Sequence, residues 1–261
     1  MIFRDKGIEV ALTKRLEEGK KCLVPYITGG FDGYLEAISA AADAGADAIE
    51  IGIPFSDPVM DGPTIQTAND IVLSNGITPA KILQDVGRLD VDIPLAVMTY
   101  YNVVYRFGLE RFSALLKESA ISGVIIPDLP FVETKPWAEA AKSNGIETIL
   151  LAAPTTTDEQ LIKICEESSG FIYAVGLLGI TGARKELADS AQVIAKRCKN
   201  VTEKPVLVGV GIGNPKQAQE ISQVADGCIV GSAIVQKLLD GGGPESVGEF
   251  VAEFRAALDQ K

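Results

Sequence analysis

The chain predicts an α/β fold, a single (β/α)8 TIM barrel with extra N-terminal and loop helices, and three observations carry the prediction. Short runs rich in Val, Ile and Leu recur eight times and read as strands. Segments whose apolar residues return about every 3.6 positions lie between them. The length, 261 residues, fits the roughly 250 residues of a barrel built as one domain. A doubly wound sheet is the alternative packing of the same alternation. No linker or low-complexity stretch divides the chain, so residues 1–261 read as one domain.

In chain order, the strands are expected at 22–28, 48–52, 95–100, 123–128, 148–153, 171–175, 206–209 and 228–230. The helical periods fall at 34–44, 109–119, 134–143, 158–167, 215–223 and 233–239. Asp32, Thr157 and Asn214 are placed as N-caps, because a short polar side chain can accept from the free N–H groups of a first turn. Gly45, Gly123, Gly145 and Gly170 are placed as helix ends, where glycine accepts the left-handed conformation. Further helical segments at 3–18, 64–74 and 245–257 decorate the barrel.

Composition narrows the chemistry. The formal charge of −11 argues against a nucleic-acid surface, which needs a basic stripe. No apolar run approaches the roughly 20 residues of a membrane span, and the charged start Met1–Lys6 carries no signal-peptide pattern, so a cytoplasmic protein is expected. Cys22, Cys165, Cys198 and Cys228 have no metal-ligand spacing and read as reduced residues of the fold. Histidine is absent, which removes imidazole bases, Ser-His-Asp triads and His-containing metal sites. Proton transfer is left to carboxylates, Tyr, Lys or water.

Two carboxylates stand out. Glu50 interrupts a buried-strand run between Ile49 and Ile51, where an ionisable group must be desolvated. Asp61 ends a Pro- and Gly-rich loop just before a helical segment. Glu50 is either a buried carboxylate paired with a donor or a reacting group. Asp61 is either a helix cap or its partner in acid–base work. In a barrel both fall at the C-terminal mouth, where active sites lie. Tyr100, Tyr101, Asn102, Asp128 and Tyr173 converge there from other strand ends.

Three glycine-bearing turns come late: Gly179-Ile180-Thr181-Gly182, Gly209-Val210-Gly211-Ile212-Gly213 and Gly231-Ser232. The last two lead into helices after the seventh and eighth strands, a common phosphate site in barrels that relies on backbone N–H groups rather than cations. Residues 176–188 form a long glycine-bearing stretch that suits a lid over the mouth.

At these residues the chain resembles the tryptophan synthase α subunit family. The motif that carries the resemblance runs Glu50-Ile51-Gly52-Ile53-Pro54-Phe55-Ser56-Asp57-Pro58-Val59-Met60-Asp61-Gly62-Pro63-Thr64-Ile65-Gln66. Pro25–Gly30, Met98–Asn102, Pro127–Pro130, Ala153–Thr156 and Gly179–Arg184 support it in register over nearly the whole chain. The resemblance implies retro-aldol cleavage of indole-3-glycerol phosphate to indole and glyceraldehyde 3-phosphate, without cofactor or metal. It implies proton transfer by Glu50, an acceptor for the indole N–H in Asp61, and an active-site tyrosine in Tyr173. It assigns the indole pocket to Tyr26, Tyr101, Ile125, Leu151 and Val210, the lid threonine to Thr181, and the phosphate cradle to Gly182, Gly211, Gly231 and Ser232.

The family also implies a pyridoxal-phosphate-dependent β subunit as partner in an α–β–β–α complex that passes indole onward to tryptophan. Asp57 and Pro58 would face that partner. Two departures from the family pattern stand out: Gly176-Leu177-Leu178 where polar residues are frequent, and Val210 where an aromatic ring commonly packs on indole. They leave room for an activator subunit with little lyase activity, or for a lyase that releases free indole.

Overall fold

The computed structural model of the chain describes residues 7–176, 184–209 and 211–260. Eight parallel strands, β1 (Cys22–Thr28), β2 (Ile49–Gly52), β3 (Leu95–Met98), β4 (Gly123–Ile125), β5 (Glu147–Ala152), β6 (Ile172–Ala174), β7 (Val206–Val208) and β8 (Gly227–Val230), pair in sequence order. β1 pairs with β8 and closes the barrel, with Leu23 opposite Cys228 and Val24 opposite Ile229. The barrel alternative is therefore the one the chain adopts, and a doubly wound sheet, which has open edges, is excluded.

The helices, in order, are α1 (Ile8–Glu17), α2 (Tyr34–Asp43), α3 (Pro63–Ser74), α4 (Pro79–Val86), α5 (Tyr101–Phe107), α6 (Leu109–Glu118), α7 (Lys135–Ser143), α8 (Asp158–Glu167), α9 (Arg184–Lys199), α10 (Pro215–Ser222), α11 (Ser232–Leu239) and α12 (Gly243–Leu258). Among the described residues none is long and apolar enough to cross a membrane.

Strand alternation sorts the core into two layers. Outward residues such as Ile49, Ile51, Leu95 and Val97 pack with the helices. Inward residues such as Val24, Ala48, Ala96, Ile125, Ile149, Phe171 and Leu207 fill the barrel, joined at its N-terminal end by Ile8 and Leu12 of α1. All four cysteines are buried and free, in line with the reduced state expected.

Thr157 and Asn214 cap α8 and α10 as expected, accepting from the N–H of Gln160 and Gln217 at 3.3 and 3.0 Å. Two local readings are corrected. The residue that opens α2 is Gly33, at φ 73°, and no side chain caps this helix, so Asp32 is not its N-cap. Gly123 does not end a helix. It starts β4, where a Cβ would come within 2.6 Å of Ile8 Cδ1, and α6 turns out through Ala120 at φ 54°. Most of the expected lid, residues 177–183, lies outside the described residues, and α9 begins at Arg184 within the remainder of that stretch.

Candidate active site

Glu50 owes its position to β2. It lies opposite Tyr26 of β1 and Ala96 of β3, and its two Ile neighbours turn outward, so the strand's two-residue period turns Glu50 into the barrel. It is 1% exposed, and neither carboxylate oxygen has a hydrogen-bond partner among the described residues. Burial, reinforced by the charge of Asp61, pushes its pKa up to about 8. Glu50 is thus mainly protonated at neutral pH, which decides against the reading of a carboxylate satisfied by internal donors.

Asp61 is not a helix cap either. Gly62 opens α3 with Pro63 in its first turn, and no side chain accepts from that turn. The Asp61 carboxyl is instead held by Asn69, whose Nδ2 donates to Oδ2 at 3.1 Å. Burial raises the Asp61 pKa, and the Tyr100 hydroxyl and the Asn69 amide oppose the rise. Tyr100 also accepts from the N–H of Met60 at 3.2 Å and stacks on Phe55, ring centroids 5.2 Å apart, which ties the loop after β2 to the end of β3.

Both carboxyls face one cavity of about 190 Å³ at the C-terminal mouth. Tyr26, Ile125, Leu151 and Tyr173 line it with them, and Gly211, Gly231 and Ser232 line it from the ends of β7 and β8. Two strand-end glycines make room for the tyrosines: a Cβ at Gly52 would run into the Tyr26 hydroxyl, and one at Gly209 into that of Tyr173. Burial lifts both hydroxyls well above the usual tyrosine range, so they act here as neutral groups. Gly211 adopts φ 82°, open to glycine at little cost. Gly231 precedes α11, so the start of that helix borders the cavity and offers an anion the free N–H groups of a first turn.

Tyr101 is the exception among the described pocket candidates. It begins α5, packs on the outer helix layer and donates its backbone N–H to Asp128 Oδ1 at 2.8 Å. Tyr100, one residue earlier, is the tyrosine that reaches Asp61. Asp57 is exposed and Pro58 half-buried on the loop after β2, outside the cavity, and Ser56 Oγ donates to Asp57 Oδ2 at 2.6 Å. Thr181, Gly182, Val210 and the Leu177-Leu178 departure lie outside the described residues. Sequence reasoning also passed over Met60, Ile65, Met98, Pro127, Val175 and Ile229, which complete the apolar lining, and Asn69. The one available signal for Asn69 was an amide on the buried face of α3, between Ala68 and Val72.

The chain is a closed (β/α)8 barrel with one fully buried carboxyl and a second carboxyl facing the same cavity at its C-terminal mouth. Residues 12–257 match the family model described as tryptophan synthase alpha chain. Curated tryptophan synthase alpha chains are similar throughout. That of Streptomyces avermitilis is 44% identical over 85% of this chain and 82% of its own, and that of Thermobifida fusca 39% over 95% and 94%.

Solved structures agree. One from Aquifex aeolicus superposes with a TM-score of 0.89 at 35% identity, covering 98% of this chain and 100% of the other. Mycobacterium tuberculosis tryptophan synthase gives 0.89 at 34%, covering 97% and 98%. The chain belongs to the tryptophan synthase alpha chain family, and with it to the lyases.

Proposed function

We propose that the chain cleaves indole-3-glycerol phosphate to indole and glyceraldehyde 3-phosphate. The observation that carries the reading is Glu50: a buried carboxyl, neutral near pH 7, with both oxygens unpartnered among the described residues and directed to the cavity. Protonation of indole C3 by Glu50 makes an indolenine-like ring. The carboxylate left behind takes the proton of the adjacent glycerol hydroxyl, the carbon–carbon bond breaks, and its electron pair returns to the ring. Glu50 ends protonated as it began, so the cycle needs no outside acid or base. Asp61 accepts from the indole N–H and stabilises the positive charge that C3 protonation puts on the ring. Tyr26, Ile125, Leu151 and Tyr173 supply an apolar slot for the ring. Gly211, Gly231 and Ser232 with the start of α11 suit the phosphate, a fit that compensates for the chain's acidity with backbone dipoles.

The reading extends to a pyridoxal-phosphate-dependent β subunit as partner, docked on residues 53–60 through Asp57 and Pro58. Val59, 71% exposed on the same loop, adds an apolar contact. Because this loop runs straight into Asp61, docking would bias the position of a reacting group. The reading also places the protein in the cytoplasm, within tryptophan biosynthesis.

The test is indole formation from indole-3-glycerol phosphate by wild type and Glu50→Gln, with and without a β subunit. The expected result is activity that rises with the β subunit and falls by at least about 100-fold in Glu50→Gln. No indole under either condition, with β turnover still enhanced, would establish an activator subunit instead. Cleavage unaffected by the β subunit would establish a stand-alone lyase.

A further inference from the structure

The structure points to a role for Asn69 that the catalytic reading does not include: we propose that Asn69 is a positioning residue that holds the Asp61 carboxylate toward the substrate cavity. The inference rests on the proposed cleavage reaction and names the group that orients its second carboxylate.

Asn69 lies on the buried face of α3, one turn beyond Ile65, which lines the cavity. It is 2% exposed, and a buried amide costs free energy unless its polar atoms are used. Only half of it is used. Nδ2 donates to Asp61 Oδ2 at 3.1 Å, while Oδ1 has no partner among the described residues. An apolar residue would pack at this site without leaving an orphaned acceptor, so packing alone does not explain the amide.

The same helix holds the rest of Asp61 as well. Gln66 Nε2 donates to the Asp61 backbone carbonyl at 2.7 Å, and the preceding residue, Met60, is held through its N–H by Tyr100. The main chain on both sides of Asp61 is therefore fixed from α3 and from the end of β3, and the remaining freedom is rotation of the carboxyl. The Asn69 amide removes that freedom, because a carboxylate facing it must accept and only Nδ2 can donate. A carboxylate turned elsewhere would lose a charge-assisted bond and remain partly buried.

Among the described residues, the titratable groups around Asp61 are Glu50 on β2, Tyr26 on β1, Tyr100 after β3 and Tyr173 on β6. None is a cation, so the neutral donors Asn69 and Tyr100 are what favour an ionised Asp61.

Asn69→Leu keeps the volume without the donor, and Asn69→Asp keeps the shape but faces Asp61 with a like charge. The experiment is the pH profile of kcat and of kcat/KM for cleavage of indole-3-glycerol phosphate by the full chain, with the same substitutions repeated in an Asp61→Asn background. The expected result is a loss of about tenfold or more, mainly in kcat. The acid limb should move to higher pH in Asn69→Leu and further in Asn69→Asp, because an Asp61 without its donor holds its proton more tightly. In the Asp61→Asn background Asn69→Leu should cause no further loss. An unmoved acid limb, or losses that multiply in that background, overturns the proposal.

Direct titration of the Asp61 carboxyl by carbon NMR separates this failure from failure of the reaction assignment. If wild type makes no indole, an upward shift of the Asp61 titration in Asn69→Leu still supports the positioning role. An unchanged titration ends it.

Discussion

Glu50 carries a cost that the fold accepts only because the group stays neutral. Each pKa unit of displacement corresponds to about 1.4 kcal/mol of preference for the protonated form. With the folded value raised from the ordinary carboxylate value of 4.5 to about 8, the native state holds a proton across that window while the unfolded chain has released it. Stability therefore falls as pH rises from about 4.5 toward 8, and the loss is complete above the folded value. Glu50→Gln removes the titration. The variant should gain stability relative to wild type between about pH 5 and 8, read as the difference in urea midpoints at the two pH values, while losing indole formation. A stability difference that does not change with pH would mean that Glu50 is ionised in the free protein.

Glu50 was legible in the sequence because a charge between two isoleucines has only one way to face. Asp61 was legible as a candidate but not as a choice between cap and reactant. Asn69 carried only the signal of an amide between Ala68 and Val72 on an expected helix, and nothing in the sequence says that this face meets a carboxylate. The placing of Tyr101 shows a related limit. Where β3 gives way to α5, two adjacent tyrosines point in different directions, and only the start of the helix decides which one reaches the mouth.

Among the elements, α1 shows how a short helix gains its place from outside its own sequence. No side chain caps its start at Gly7. The missing acceptor comes from β5: the carboxylate of Glu147 takes the N–H groups of Ile8 and Glu9 at 2.6 and 3.0 Å. Glu9 in turn accepts from the N–H of Gly170 at 3.1 Å, ahead of β6. These bonds seat Ile8 and Leu12 against the bottom of the barrel interior. Glu147→Ala should cost about 2 kcal/mol, the scale of hydrogen bonds to a charged group, and should speed amide exchange in α1 before the strands. Equal protection of α1 in both proteins would show that the apolar contacts alone hold it.

α1 falls inside the helical segment expected at 3–18, whose residues 3–6 lie outside the described residues, but its cap was not readable, since donor and acceptor stand 139 residues apart. Local caps such as Thr157 and Asn214 were readable because their partners lie three residues on. α4 and α5, with 8 and 7 residues, were not among the expected helices, and neither was the 16-residue α9, so length does not separate them from α10 and α11, which were read at 8 residues each.

At the scale of the molecule, the eightfold alternation and the chain length favoured a barrel over a doubly wound sheet, yet nothing in them shows how the first and last helices are locked to the closed sheet. Four charges do this. Asp47, just before β2, forms an ion pair with Arg15 of α1 at 3.2 Å and accepts a hydrogen bond from Arg255 of α12 at 3.0 Å. Both arginines also meet Asp259, at 3.1 and 2.9 Å. Asp47 further accepts from the Leu23 N–H at 2.8 Å, and Arg255 donates to the Lys21 carbonyl at 2.8 Å, so the cluster touches β1 where it pairs with β8. Gly45, at φ 99°, leaves room for the Arg255 stem, which a Cβ would approach to 2.9 Å.

Arg255 and Asp47 side chains are only 10% and 12% exposed, so breaking the pair costs more than the pair contributes. Arg255→Met leaves the buried Asp47 with one arginine and should destabilise the fold by about 3–5 kcal/mol. Burial already raises the Asp47 pKa against the pull of Leu23, Arg15 and Arg255, and losing Arg255 raises it further. The sign follows: the variant's native state holds a proton that its unfolded state releases, so its deficit is smallest in acid and grows as pH rises past the ordinary aspartate range. Adding Asp47→Leu removes the stranded charge, and the double variant should recover part of the loss at pH 7 and lose the added pH dependence. If the double variant is as unstable as the sum of its singles at every pH, the cluster acts through packing of the two arginine stems, and its charges contribute nothing to locking the ends.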